Sequence, residues 1–108
     1  MSDFRDLTFY RKAFENAMRI FELTQCFPVE EKNGLASQIR NSSRSVCANM
    51  AEGYRKRQYD KHFISKLSDA DMENSEVIVW LDFALACNYI DDNIHQAIVA
   101  IVKKLAVC

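Results

Sequence analysis

With 108 residues, 49% hydrophobic content, two Gly and one Pro, the chain is long enough for one domain of long uninterrupted elements and excludes a disordered or loop-rich protein. The net charge of −1 selects no class of partner, but its distribution is uneven. From Lys32 to Lys66 eight basic residues stand against Glu52 and Asp60, and from Asp69 to Asp92 seven acids stand without a Lys or Arg. Such asymmetry supports head-to-tail association as readily as nucleic-acid binding. No window approaches the roughly 20 apolar residues of a membrane span, and MSDFRDLTFYRK carries no apolar signal-peptide core. Cys26, Cys47, Cys87 and Cys108 lie far apart with no C-x-x-C pair. They read as reduced thiols packed as small hydrophobes in a cytoplasmic protein with no membrane contact.

The first helix is expected from Asp6, a good N-cap, to Thr24. Leu7, Tyr10, Phe14, Ala17, Met18 and Phe21 form its apolar stripe, and Phe9, Ala13, Ile20 and Leu23 widen it beyond what a bundle core requires. Pro28 breaks the chain, with Phe27 placed to staple the next helix, expected over 29–56 with Gly34 inside it. Glu30 and Glu31 occupy its first turn, where the helix dipole favours anions. The third helix is expected over 59–87. Its main stripe is Phe63, Leu67, Ala70, Asn74, Val77, Leu81 and Ala84, and a second apolar stripe carries Met72, Val79, Trp80 and Phe83. Asn88-Tyr89-Ile90 closes it, and Asp91 caps a fourth helix over 92–107 with Ile94, Ala97, Ile98, Ile101, Val102 and Leu105 inward. Long helices with short connections give an all-α, antiparallel up-down-up-down four-helix bundle in a single domain. The surplus apolar surface at Phe9, Ile20 and Leu23 and at Met72, Val79 and Phe83 points to an oligomer interface.

Catalytic patterns are missing. A dimetal carboxylate bundle needs Glu from two helices and Glu-x-x-His from two more. Here Asp92-x-x-His95 lies at a helix start and Glu73-x-x-Glu76 lacks a His. No base accompanies a Ser or Cys nucleophile, since His62 follows a basic run and reads as solvated. No enzyme activity, cofactor, metal or small-molecule substrate is expected. Two constellations remain. Ser42, Ser45, Asn49 and Glu52, spaced by three and four, read as a buried polar seam fixing helix register, with Glu76 in the same network or paired with Arg40 or Arg44. Arg40, Arg44, Arg55, Lys56, Arg57 and Lys61 form a basic belt with Tyr54 and Tyr59 beside it, the candidate nucleic-acid-binding surface.

Several motifs together carry a resemblance. They are Phe4-Arg5-Asp6-Leu7, Phe27-Pro28, Glu31, Gly34-Leu35, Ser37-Gln38-Ile39-Arg40, Ser45-Val46, Asn49-Met50-Ala51-Glu52-Gly53, Glu76 before Trp80-Leu81, and Asn88-Tyr89-Ile90. Over nearly its whole length the chain resembles the four-helix-bundle proteins encoded in intervening sequences of bacterial 23S ribosomal RNA genes. The accessory protein of diversity-generating retroelements shares that fold group. The chain departs from the family pattern at Asn41, where a second Arg is common, and at Met72, where Gly is common. The resemblance implies a ring-shaped homopentamer and an association with RNA or DNA. The expected function is a non-catalytic homo-oligomeric assembly module presenting surfaces to a protein or nucleic-acid partner. The alternative is an RNA- or DNA-binding protein whose basic belt is multiplied around a ring.

Overall fold

A computed structural model describes residues 3–105. Asp3 caps the chain start: its Oδ1 accepts from the Arg5 N–H at 2.8 Å, and Asp6 Oδ2 accepts from the Asp3 N–H at 3.2 Å. The reciprocal pair closes a 3-10 turn over Phe4–Asp6, so the first helix, α1, starts at Thr8 and runs to Thr24. Asp6 belongs to that turn and does not cap α1.

The segment expected as one helix over 29–56 is divided. A 3-10 turn covers Val29–Glu31, and α2 spans Leu35–Arg55. Gly34 is the N-cap of α2 and has no side chain to offer as a cap. Glu31 supplies one from the turn before: its Oε1 accepts from the Leu35 N–H at 3.0 Å. A Cβ on Gly34 would come within 2.7 Å of that same oxygen, so the missing side chain leaves room for the capping carboxylate.

Helix α3 runs Asp60–Ala86 and α4 runs Asp92–Lys104. Asn88, at φ 62°, supplies the left-handed residue that ends α3, and the Tyr89 N–H donates back to the Ala84 carbonyl at 2.9 Å. Asp91 caps α4 by accepting from the Ile94 N–H at 2.8 Å. Val107 and Cys108, which the fourth helix and the thiol reading included, lie outside the described residues.

The contacts fix the directions of the helices. Arg40, near the start of α2, meets Thr24 at the end of α1. Ser42, early in α2, meets Trp80 late in α3, whereas Glu52, late in α2, meets Lys66 early in α3. Asp82, late in α3, meets His95 early in α4. Each helix thus runs opposite to the one before it, and the four form a bundle with extents of 44 × 22 × 21 Å.

The core has two clusters stacked along the bundle. One joins Ile20, Ile39, Val77, Leu81, Ile98 and Val102, closed by Phe27 and Ile90 from the connections. The other joins Ala13, Val46, Cys47, Met50, Ala70 and Leu105. This arrangement overturns part of the expected face of α1. Ile20 is fully buried and belongs to the core, not to an oligomer interface. Leu23 is half-buried against the same cluster. Phe14 and Met18, expected inward, are instead 51% and 45% exposed. The small side chains of Ala13 and Ala17 let α1 approach its neighbours closely, and the helix turns that side inward, leaving the larger residues at the flank.

Candidate functional site

The polar seam does not form as a unit. Ser42 is buried and its Oγ accepts from Trp80 Nε1 at 3.2 Å, a bond that locks α2 to α3. Ser45 and Asn49 are half-buried, and Glu52 and Glu76 are exposed. No hydrogen bond joins Ser42, Ser45, Asn49 and Glu52 among the described residues. Glu52 instead reaches across to the Lys66 ammonium at 2.7 Å, and that bond raises the Lys66 pKa. The reason is rotation: α2 turns Ile39, Ser43, Val46 and Met50 inward, so residues on the Asn49–Glu52 side stand at the α3 flank where carboxylates reach water.

Buried polar side chains sit elsewhere. Asn74, on the main stripe of α3, donates from Nδ2 to the Val102 carbonyl at 2.8 Å and ties α3 to α4. Ser43 donates to the Arg40 carbonyl at 3.1 Å. Asn16 on α1 is only 4% exposed, and its Oδ1 has no partner. The Asn74 position was visible as the one amide in an apolar stripe. Asn16 was not, because it lay outside the stripe assigned to α1.

Arg40 and Arg44 do not pair with Glu76. Arg40 Nε donates to Thr24 Oγ1 at 2.6 Å, and its guanidinium lies 4.8 Å from the centre of the Phe21 ring. Arg44 covers the same ring at 5.8 Å. Both are therefore held on the outer face of α1 and α2.

Arg55, Lys56, Arg57 and Lys61 cluster at the α2–α3 corner, all exposed. Arg57 stacks at 4.1 Å on the Tyr54 ring and donates to the Tyr54 carbonyl at 2.8 Å, which fixes its guanidinium beside the helix end. Some 11 residues, or about 16 Å of helix, separate Arg44 from Arg55. The two share a face of α2, with Ala48 and Ala51 between them, so the belt is one stripe ending in a denser corner.

Apolar side chains are exposed in several places among the described residues. On α3, Met72, Val79 and Phe83 are 64%, 45% and 55% exposed and share one outer face. Between α1 and α2, a groove of about 350 Å³ is lined by Phe14, Met18, Cys47, Ala48 and Ala51, with Arg44 on its rim. Burial pushes the Cys47 thiol up to about 11, so it packs as a hydrophobe and does not ionise near neutrality. Phe9 borders a second apolar cleft, with Leu7, Met50, Phe63 and Leu67. That cleft opens at the end of the bundle, where the 13-residue α4 falls short of the 27-residue α3.

Among the described residues no three His, Cys, Asp or Glu side chains are placed to hold a metal ion. His95, half of the Asp92-x-x-His95 spacing, is engaged with Asp82 at 2.7 Å instead. His62 is exposed and meets Tyr59 edge-on. Cys26 and Cys87 are exposed free thiols. No helix among the described residues is long and apolar enough to cross a membrane.

Comparison with known proteins agrees with this geometry. No curated protein sequence matches the chain closely enough to count as a relative. A crystal structure of a protein of unknown function from Bacteroides thetaiotaomicron VPI-5482, assigned to the S23 ribosomal protein family, superposes with a TM-score of 0.80. The two are 25% identical, over 91% of this chain and 88% of that one. Neither comparison points to a catalytic family. The sequence profile of the 23S rRNA-intervening sequence protein family matches residues 5–107. The chain therefore belongs to the 23S rRNA-intervening sequence protein family.

Proposed function

We propose that the protein is a non-catalytic assembly module that associates head to tail with copies of itself and presents the resulting surface to a macromolecular partner. The observation that carries this reading is a pair of complementary faces on one chain. The α1–α2 groove is apolar with an arginine on its border: Phe14, Met18, Ala48 and Ala51 beside Arg44, which shares the Phe21 ring with Arg40. The outer face of α3 is apolar with carboxylates on its border: Met72, Val79 and Phe83 beside Asp69, Glu73 and Glu76.

Glu73 sits above the ordinary carboxylate range, because partial burial and the neighbouring Glu76 and Asp69 all disfavour its charge. Among the described residues neither Glu73 nor Glu76 forms an ion pair. A partner subunit's arginines would relieve that crowding. Two different faces that meet make a heterologous contact, which closes into a ring when the rotation permits. Five subunits is the number the family resemblance implies. Exposed free thiols at Cys26 and Cys87 suit a reducing, cytoplasmic setting.

Light scattering with a charge-reversal pair tests the reading. The wild-type protein is expected to run as an oligomer at micromolar concentration. Arg44→Glu or Glu76→Arg alone should shift it to monomer, and the double reversal should restore the oligomer. A monomeric wild-type mass would overturn the proposal.

A second reading, binding of RNA or DNA, is supported by the exposed corner of Arg55, Lys56, Arg57 and Lys61. Repetition around a ring would multiply that modest patch.

A further inference from the structure

The cleft that Phe9 borders, at the end of the bundle, has a volume of about 290 Å³. Leu7, Phe9 and Tyr10 line it from the start of the chain, Met50 from α2, and Phe63 and Leu67 from α3. Its surface is almost wholly carbon. Close approach of two helices builds one wall. Gly53 is buried in α2, and a Cβ there would stand 3.3 Å from Lys66 Cβ and 3.9 Å from the side chains of Phe63 and Leu67. α3 thus packs onto the α2 backbone and holds both side chains in place. Phe9 is nevertheless 53% exposed, and water against this carbon is unfavourable.

Positive charge surrounds the cleft. Arg57 lines it, its guanidinium fixed by the Tyr54 ring and carbonyl. Arg55, Lys56 and Lys61 stand exposed on the same corner, with Asp60 as the one acid among them. Glu52, the next carboxylate, is taken by Lys66. Among the described residues none of these four cations forms an ion pair.

An occupant must therefore join an apolar body to negative charge. A nucleobase fails the first condition, since its ring nitrogens and carbonyl oxygens would be buried against carbon without partners. A leucine or phenylalanine side chain leaves nothing unpaired, and acidic neighbours in its own chain answer the cations. We infer that the cleft docks a protein partner through a short acidic segment, one apolar side chain filling the cleft and flanking carboxylates meeting Arg57 and the basic corner. Such a segment is the macromolecular partner that the assembly reading leaves open. The cleft is complete within one chain and shares only Tyr10 with the α1–α2 groove.

Fluorescence anisotropy tests it with a short labelled peptide in which glutamates flank a central leucine–phenylalanine pair. Saturable binding at one site per chain is expected. Alanines in place of the central pair, or glutamines in place of the glutamates, should each weaken it about tenfold or more. Phe9→Glu and Arg57→Gln alter exposed side chains, so the fold should survive, and both should weaken binding to the same degree. Arg19→Gln, an exposed cation on the far part of α1, should bind as wild type does. Equal affinity for the leucine–phenylalanine and alanine peptides would overturn the site, as would binding that Phe9→Glu leaves intact or no saturable binding up to millimolar peptide. A labelled single-stranded oligonucleotide whose binding Phe9→Glu abolishes would make the cleft a base pocket and overturn the peptide. Light scattering on the same samples separates the remaining occupant. A peptide that lowers the oligomer mass would make the cleft a contact between copies, which also overturns the proposal. Peptide binding by a protein that runs as a monomer would remove the assembly reading and leave this site standing.

Discussion

Tyr89 donates its hydroxyl proton to Glu31 Oε2 at 2.9 Å, binding the α3–α4 connection to the α1–α2 connection at one end of the bundle. The other oxygen of the same carboxylate caps α2 through the Leu35 N–H. One glutamate therefore closes a helix start and clamps two loops, and the Phe27 ring packs 5.2 Å from the Tyr89 ring beneath it.

Removing the shared carboxylate should show this double role. Glu31→Ala deprives α2 of its cap and Tyr89 of its acceptor, and should cost about 1–3 kcal/mol in urea denaturation. Tyr89→Phe removes only the second bond and should cost about 1 kcal/mol. Gly34→Ala should resemble Glu31→Ala in milder form, because its methyl group displaces the capping oxygen. Equal stability of wild type and Glu31→Ala would show that neither bond contributes.

Alkaline pH should weaken the fold by a calculable sign. The hydrogen bond to Glu31, with desolvation, pushes the Tyr89 hydroxyl up to about 12 from 10.0. Burial pushes Cys47 up to about 11 from 9.0, and the bond to Glu52 raises Lys66. All three groups bind their protons more tightly folded than unfolded. Their contributions are complete below the unfolded values and disappear as pH rises through the folded ones. Stability should decline between about pH 9 and 12, and Tyr89→Phe should flatten the upper part of that decline. Denaturant midpoints measured across this range test it; a curve that stays level from pH 9 to 12 contradicts the linkage.

Two asparagines differ in how far the fold depends on them. Asn74 is buried and bonded to the Val102 carbonyl, so Asn74→Ala should cost about 1–3 kcal/mol. Asn49 is half-buried and makes no hydrogen bond among the described residues, so Asn49→Ala should cost less than about 1 kcal/mol. Thermal unfolding of both variants gives the order directly, and a larger loss at Asn49 would restore the buried seam.

That contrast shows what could be read from residue order. The four helices, their turns at Pro28 and Asn88 and the inward stripe of α3 follow from local periodicity and punctuation, which need no neighbour to express themselves. Rotation of a helix about its own axis is different. α1 carries apolar residues over most of its circumference, so its pattern admits several inward faces. Packing selected the one built on Ala13, Ala17 and Ile20, because small side chains allow closer approach. The split before α2 was hidden for a related reason. Glu31 caps Leu35 across Gly34, and a glutamate placed four residues ahead of a helix interior looks the same in sequence as one inside the helix.

The basic corner gives the sharpest functional test. Arg55, Lys56 and Arg57 stand exposed at the end of α2, and their cations also complement the helix dipole there. Replacing all three with Gln should leave the fold nearly unchanged, since exposed charges contribute little to stability. The Tyr54–Arg57 stack is a packing contact at risk, and its loss should cost no more than about 1 kcal/mol. For RNA or DNA, the wild-type protein should show an affinity that falls steeply with salt. The triple variant should bind more weakly, with a salt slope lower by about one unit for each phosphate contact removed. Because phosphates are contacted and not base edges, the loss should be the same for unrelated sequences. Fluorescence anisotropy with two unrelated oligonucleotides across a salt series measures both quantities. Equal slopes for wild type and variant would exclude this corner as the binding surface. An absence of wild-type binding at low salt would leave the arginine-bordered groove and the carboxylate-bordered face of α3, meeting between subunits, as the working surfaces of the protein.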